Sequence, residues 1–137
     1  MINWFEKHSR VSCGITILIS VIIFYISSQS FAHSSKQSNL MPIIYHFCAF
    51  FFLAFFLLIS SIRGKEKYLI FALVILISVL YGISDEFHQF FVPGRHCSFS
   101  DVFIDTLGIF FASIIYFISI KFRVSSPTKF KNKHYYK

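Results

Sequence analysis

The strongest constraint on this chain is a set of four long stretches nearly free of charge: Val11 to Ile26, Ile43 to Ile62, Leu69 to Ser84, and the run from Ser98 to about Ile120. A helix needs about 20 mainly apolar residues to cross the hydrocarbon of a bilayer. Four such stretches in 137 residues leave little chain for anything else. A soluble domain of this size cannot hide so much apolar surface. Apolar residues make up 55% of the chain and charged residues 14%, and 20 positions are Phe, so the expected solvent is lipid. The sequence therefore predicts an all-α integral membrane protein with four transmembrane helices in a small bundle.

The expected layout is a single transmembrane domain over residues 1–122, with spans at about 11–27, 43–62, 68–90 and 99–120. A basic tail follows over residues 123–137, too irregular and charged for a packed element. The basic start and first apolar run imitate a signal peptide. Three further spans follow, which favours a retained first helix. Phe31 to Met41 reads as a polar connection, with Pro42 suited to the first turn of the next helix. Pro93 and Gly94 mark a turn in which Gly supplies a positive φ. Ser98 and Asp101 have the S-x-x-D spacing of a capping pair at the start of the fourth span.

The net charge of +7 does not point to nucleic acid, because no nucleic-acid motif accompanies the basic residues. All but Lys36 and Arg95 of the 13 Lys and Arg fall at the termini or in the turn around Arg63 to Lys67, which four spans put on one side. The positive-inside rule makes that side cytoplasmic, with both termini. Membrane lipids, including anionic headgroups, are the partners this charge pattern suits. Cys13, Cys48 and Cys97 are widely spaced and suggest neither a disulfide framework nor a thiolate zinc site.

Apolar need does not explain the stretch from Tyr81 to Gly108. It places Asp85, Glu86, His88, Gln89, Arg95, Asp101 and Asp105 within or beside two spans. Ionisable side chains at membrane depth are costly, by about 2.5–3.5 kcal/mol each on insertion scales, and they mark function by default. On a helix, Gly82, Glu86 and Gln89 share one face, and Ser78, Asp85 and His88 share the next. Asp101, Asp105, Gly108 and Ala112 share a face of the fourth span. The small pair Gly108 and Ala112 there lets a neighbouring helix approach closely. His46 lies near the outer end of the second span, at the depth of this cluster.

One reading joins these faces into an outward-opening polar pocket. Glu86, Asp105 and His88 are then candidates for acid–base chemistry, and Asp85, Gln89, Arg95, Asp101 and His46 for binding. The same groups suit a divalent cation or a phosphate held at Arg95, so cofactor and metal stay open. The other reading is structural: Ser98 and Asp101 cap a helix, and Arg95 pairs with a carboxylate to lock the outer turn. A proton or ion pathway ranks behind both, since few polar residues continue toward the cytoplasmic half.

At YGISDEFHQFFVPGR and SFSDVFIDTLG, with FYISSQS at Phe24 to Ser30 and His46–Phe47, the chain resembles the VanZ-like family. This family of small bacterial membrane proteins is named for a protein associated with teicoplanin resistance. The resemblance covers about Phe24 to Tyr116. It implies a multi-span helical protein of the bacterial cytoplasmic membrane whose polar signature is Asp85, Glu86, Gln89, Arg95, Asp101 and Asp105. Members often carry a Lys where this chain has Ile43 and a Tyr where it has Phe50. The link to an antibiotic that acts outside the membrane agrees with an outward site. The expected partner is an anionic lipid or a lipid-linked cell-envelope precursor. The alternative is a non-enzymatic membrane module whose ion pairs support helix packing or partner binding.

Overall fold

A computed structural model describes residues 2–30, 40–65, 67–95 and 97–125. The described residues form five helices: α1 (Ile2–Lys7), α2 (Ser9–Ser27), α3 (Leu40–Ile62), α4 (Tyr68–Gln89) and α5 (Phe99–Ser125). Four of these are long and apolar enough to cross a membrane, over Ser9–Ser27, Leu40–Ile62, Tyr68–Gln89 and Phe99–Arg123. The all-α, four-span architecture expected from the apolar runs is therefore borne out. His33 and Lys36 in the α2–α3 connection, and the tail beyond Ser125, lie outside the described residues.

Side-chain exposure follows the logic of a lipid solvent. Large apolar residues such as Leu18, Tyr25, Leu69 and Phe122 stand on the outer surface, with Leu69 74% exposed. Small and polar residues such as Ser12, Ser27, Ala54, Ser78, Ala112 and Ser113 are buried between helices. Lipid tails are as apolar as leucine, so greasiness alone cannot bring helices together. Close packing and hydrogen bonds between helices do so instead.

The bundle is built around α3, which packs most extensively on α5, then on α2 and α4, and also meets α1. Two buried clusters follow its length. Phe50, Leu53 and Ala54 pack with Ile23, Ile109 and Ala112, and Leu58, Ile59 and Ile62 pack with Val74, Tyr116 and Ile120. The α3–α5 approach is closest at Gly108. A Cβ there would run into the Phe47 carbonyl oxygen and lie 3.1 Å from the Phe51 nitrogen. The small face of the fourth span therefore seats on the second span. Gly82 of α4 sits just above Phe50 and Asp105, where an added Cβ would be 3.3 Å and 3.4 Å from their nearest atoms.

The polar start of the chain is helical rather than loose. His8 breaks α1 from α2, and the Ser12 hydroxyl donates to the Phe5 carbonyl, one of the acceptors left over where α1 ends. Glu6 of α1 accepts hydrogen bonds from the two terminal guanidinium nitrogens of Arg123 of α5, at 2.5 Å and 2.8 Å, and from the Tyr116 hydroxyl at 2.9 Å. The same Tyr116 oxygen accepts the Gly64 N–H of the α3–α4 turn at 3.2 Å. Arg63 and Gly64 reverse the chain there with φ of 54° and 70°. One end of the bundle thus collects α1, the α3–α4 turn and the end of α5. The opposite end collects the close of α2 and α4 with the starts of α3 and α5.

Candidate functional site

The site is assembled at that opposite end. The carboxylates and the histidine sit about one to two helical turns inside the helix termini, at 1.5 Å of rise per residue. His46 is six residues into α3, Asp105 six residues into α5, and Glu86 three residues before the end of α4. All three are nearly sealed from the surface, at 3%, 1% and 1% exposure. Asp85 and Gln89 are buried as well, and Asp101 and Arg95 are half-buried at the rim.

His46 links the three helices. Its Nδ1 lies 3.0 Å from Asp105 Oδ1 and 4.0 Å from Glu86 Oε1. An ionised Asp105 only accepts, so it holds the ring with the proton on Nδ1. Gln89 Nε2 donates to Asp85 Oδ2 at 2.9 Å and to Glu86 Oε1 at 3.3 Å. This follows from the i, i+3 and i, i+4 spacing of the three residues on α4.

The connection from α4 to α5 completes the site. Phe91, Val92 and Arg95 fold back through successive turn hydrogen bonds, and Gly94 takes a φ of 80°, as the Pro-Gly pair predicts. The Ser98 N–H, which a capping box would give to Asp101, donates instead to Glu86 Oε2 at 3.0 Å. Asp101 turns inward, and one of its oxygens lies within 4.8 Å of ligating atoms of both His46 and Glu86. Arg95 Nη2 donates to the Ile26 carbonyl at the end of α2, at 3.2 Å.

His88 takes a different direction. Its Nε2 is 3.0 Å from Ser28 Oγ and its ring stacks on Phe24, so it serves the α2–α4 contact outside the cluster. Tyr45, which no sequence pattern singles out, lies within electrostatic reach of Asp85, Arg95 and Asp105. Its hydroxyl is buried and has no hydrogen-bond partner, a condition shared by Asp105 Oδ2. Orphaned polar atoms are uncommon in packed interiors, where each costs about 1–3 kcal/mol.

A comparison of the sequence with known families agrees with the polar signature: the profile of the VanZ/LLP1 family matches residues 12–120. The chain belongs to the VanZ/LLP1 family. No curated protein and no solved structure matches it. The matched region of this VanZ/LLP1 protein holds His46, Tyr45 and the whole set from Asp85 to Asp105. It excludes Glu6 and Arg123, whose pairing fastens the far end of the bundle.

Chemically, the arrangement offers a histidine oriented by a carboxylate, a second carboxylate beside the ring, and an arginine at the rim. An imidazole held this way is fit to accept or deliver a proton. A planar guanidinium suits carboxylate or phosphate oxygens. At this end of the bundle Phe87, Phe90, Phe91 and Phe99 are exposed, Phe99 by 92%.

Proposed function

We propose that this VanZ/LLP1 protein binds, and acts on, an anionic lipid or cell-envelope intermediate from the outer leaflet of a bacterial cytoplasmic membrane. The carrying observation is the buried His46–Asp105 pair beside Glu86, with the half-buried Arg95 at the same end of the bundle. In this reading Arg95 receives the anion. Glu86, Asp105 and His46 handle protons or hold a ligand, and Gln89 keeps the Glu86 carboxylate in place. The exposed phenylalanines at this end of the bundle suit acyl chains. The excess of Lys and Arg at the two termini and in the α3–α4 turn supports an outward-facing polar cluster. An effect on glycopeptide susceptibility, teicoplanin included, belongs to this proposal because those drugs act on the outer face.

The test reconstitutes the full chain in nanodiscs that contain both phosphatidylglycerol and phosphatidylcholine and measures retained lipid by native mass spectrometry. Preferential retention of the anionic lipid, lost in Arg95→Ala and weakened in Glu86→Gln, is the expected result. Equal retention of both lipids by wild type, together with an unchanged envelope phenotype in both variants, would overturn it.

The alternative, a non-enzymatic packing or docking module, draws on the Ser98–Glu86 and Arg95–Ile26 hydrogen bonds, which tie the loop to α4 and α2. It predicts that every cluster variant fails to insert or assemble. The chemical reading predicts inserted but inactive protein.

A further inference from the structure

Four carboxyl groups, those of Asp85, Glu86, Asp101 and Asp105, gather where α3, α4 and α5 meet. Among the described residues there, Arg95 is the one permanently charged cation. Carboxylates with little access to water are tolerated only when positive charge or hydrogen bonds compensate them. Asp105 is 1% exposed, yet its Oδ2 has no hydrogen-bond partner. One ring nitrogen of His46, one oxygen of Glu86 and one oxygen of Asp101 all lie within 4.8 Å of one another, each from a different helix. Donors about 2.0–2.2 Å from a shared ion stand roughly 3.0–4.4 Å apart, so small side-chain rotations bring these three together.

We propose that His46, Glu86 and Asp101 bind one divalent transition-metal cation between α3, α4 and α5. Imidazole with carboxylates favours Mn²⁺ or Zn²⁺, whereas Mg²⁺ and Ca²⁺ prefer sites built wholly of oxygen. Two of the donors are already held in position. Asp105 occupies His46 Nδ1, which leaves Nε2 as the ring nitrogen with a lone pair for an ion. Gln89 and the Ser98 N–H hold the two oxygens of Glu86. Three protein donors leave coordination positions open for a ligand oxygen. The ion therefore deepens the lipid reading above by giving a phosphate a second positive contact besides Arg95. Its use rests on that reading, but its binding does not.

The experiment uses the full chain in detergent, stripped with a chelator and kept free of phosphate and anionic lipid. Mn²⁺ and Zn²⁺ are titrated by calorimetry, and retained metal is counted by mass spectrometry after desalting. The expected result is one ion per chain, not displaced by equimolar Mg²⁺ or Ca²⁺. His46→Ala, Glu86→Gln and Asp101→Asn should each weaken binding at least tenfold, and Asp105→Asn by about 10–100-fold. Thr106→Val, on the exposed face of α5, should bind as wild type. Variants are compared only where the helical circular dichroism and the melting transition match wild type, and Asp101, the half-buried donor, is the substitution best placed to keep both. No ion retained by folded wild type, or unchanged affinity in folded Asp101→Asn, would overturn the proposal. Selective retention of anionic lipid in chelator would overturn the ion's part in holding the phosphate and leave the lipid reading standing. A bound ion without lipid selectivity would do the reverse.

Discussion

Replacing Gly108 with alanine should loosen the α3–α5 interface and, through it, the polar cluster one turn away. The new Cβ would stand 3.1 Å from the Phe51 nitrogen and 3.3 Å from the Phe47 carbonyl carbon, with the Phe47 oxygen closer still. Carbon contacts are comfortable at about 3.5–4.0 Å, so the helices must part by several tenths of an ångström at least. The obstacles are main-chain atoms of the central helix, so no side chain can rotate out of the way. Overpacking of this kind costs about 1–3 kcal/mol, or roughly 5- to 140-fold in the folded-to-unfolded ratio. Asp105 lies one turn before Gly108 on the same face, so the displacement also stretches its 3.0 Å contact with His46. Reversible unfolding in bicelles, followed by steric trapping, measures the loss. Gly108→Leu should lose more than Gly108→Ala. A leucine variant as stable as wild type would refute the close approach.

Three further outcomes follow from the contacts. Glu6→Gln removes the anion shared by Arg123 and Tyr116 and should cost about 1.5–3 kcal/mol in the same assay; a double variant with Arg123→Gln should cost less than the sum of the two singles, and additivity would show the pair uncoupled. Tyr81→Phe deletes the 2.7 Å hydrogen bond to the Ser20 carbonyl and should cost only about 0.5–1.5 kcal/mol, with anionic-lipid retention unchanged; a loss above 3 kcal/mol would show that the hydroxyl holds more than this bond. With Cys13 and Cys48 changed to serine, an impermeant maleimide applied to intact cells should label Cys97, which is exposed in the α4–α5 connection; labelling that requires permeabilised cells would place the polar cluster on the cytoplasmic side.

The four spans were legible because an uncharged run of this length has few other uses, and Gly94 because a Pro-Gly pair at a turn asks for a positive φ. The polar residues stood out for the opposite reason: Glu86 and Asp105 interrupt sequence that is otherwise apolar. Which face a residue occupies can be read from spacing, but which helix that face meets cannot. Gly108 was readable as a point of close approach, yet its partner is α3. His88 shares a helical face with Asp85 in projection, but the neighbour it reaches is Ser28 of α2. Tyr45 gave no signal, since a tyrosine near a span end is ordinarily an interface residue. Nothing in the sequence marked Glu6, because its partner, Arg123, lies 117 residues away.

That separation sets an order of events during synthesis. Glu6 leaves the ribosome before its guanidinium partner, which follows only after all four spans have been made. At about 5–20 residues per second, the wait is roughly 6–23 s. Throughout that interval the acid of α1 has no counterpart from α5. The Glu6–Arg123 bond is thus a closing stitch, one that a chain interrupted before α5 has no means to sew.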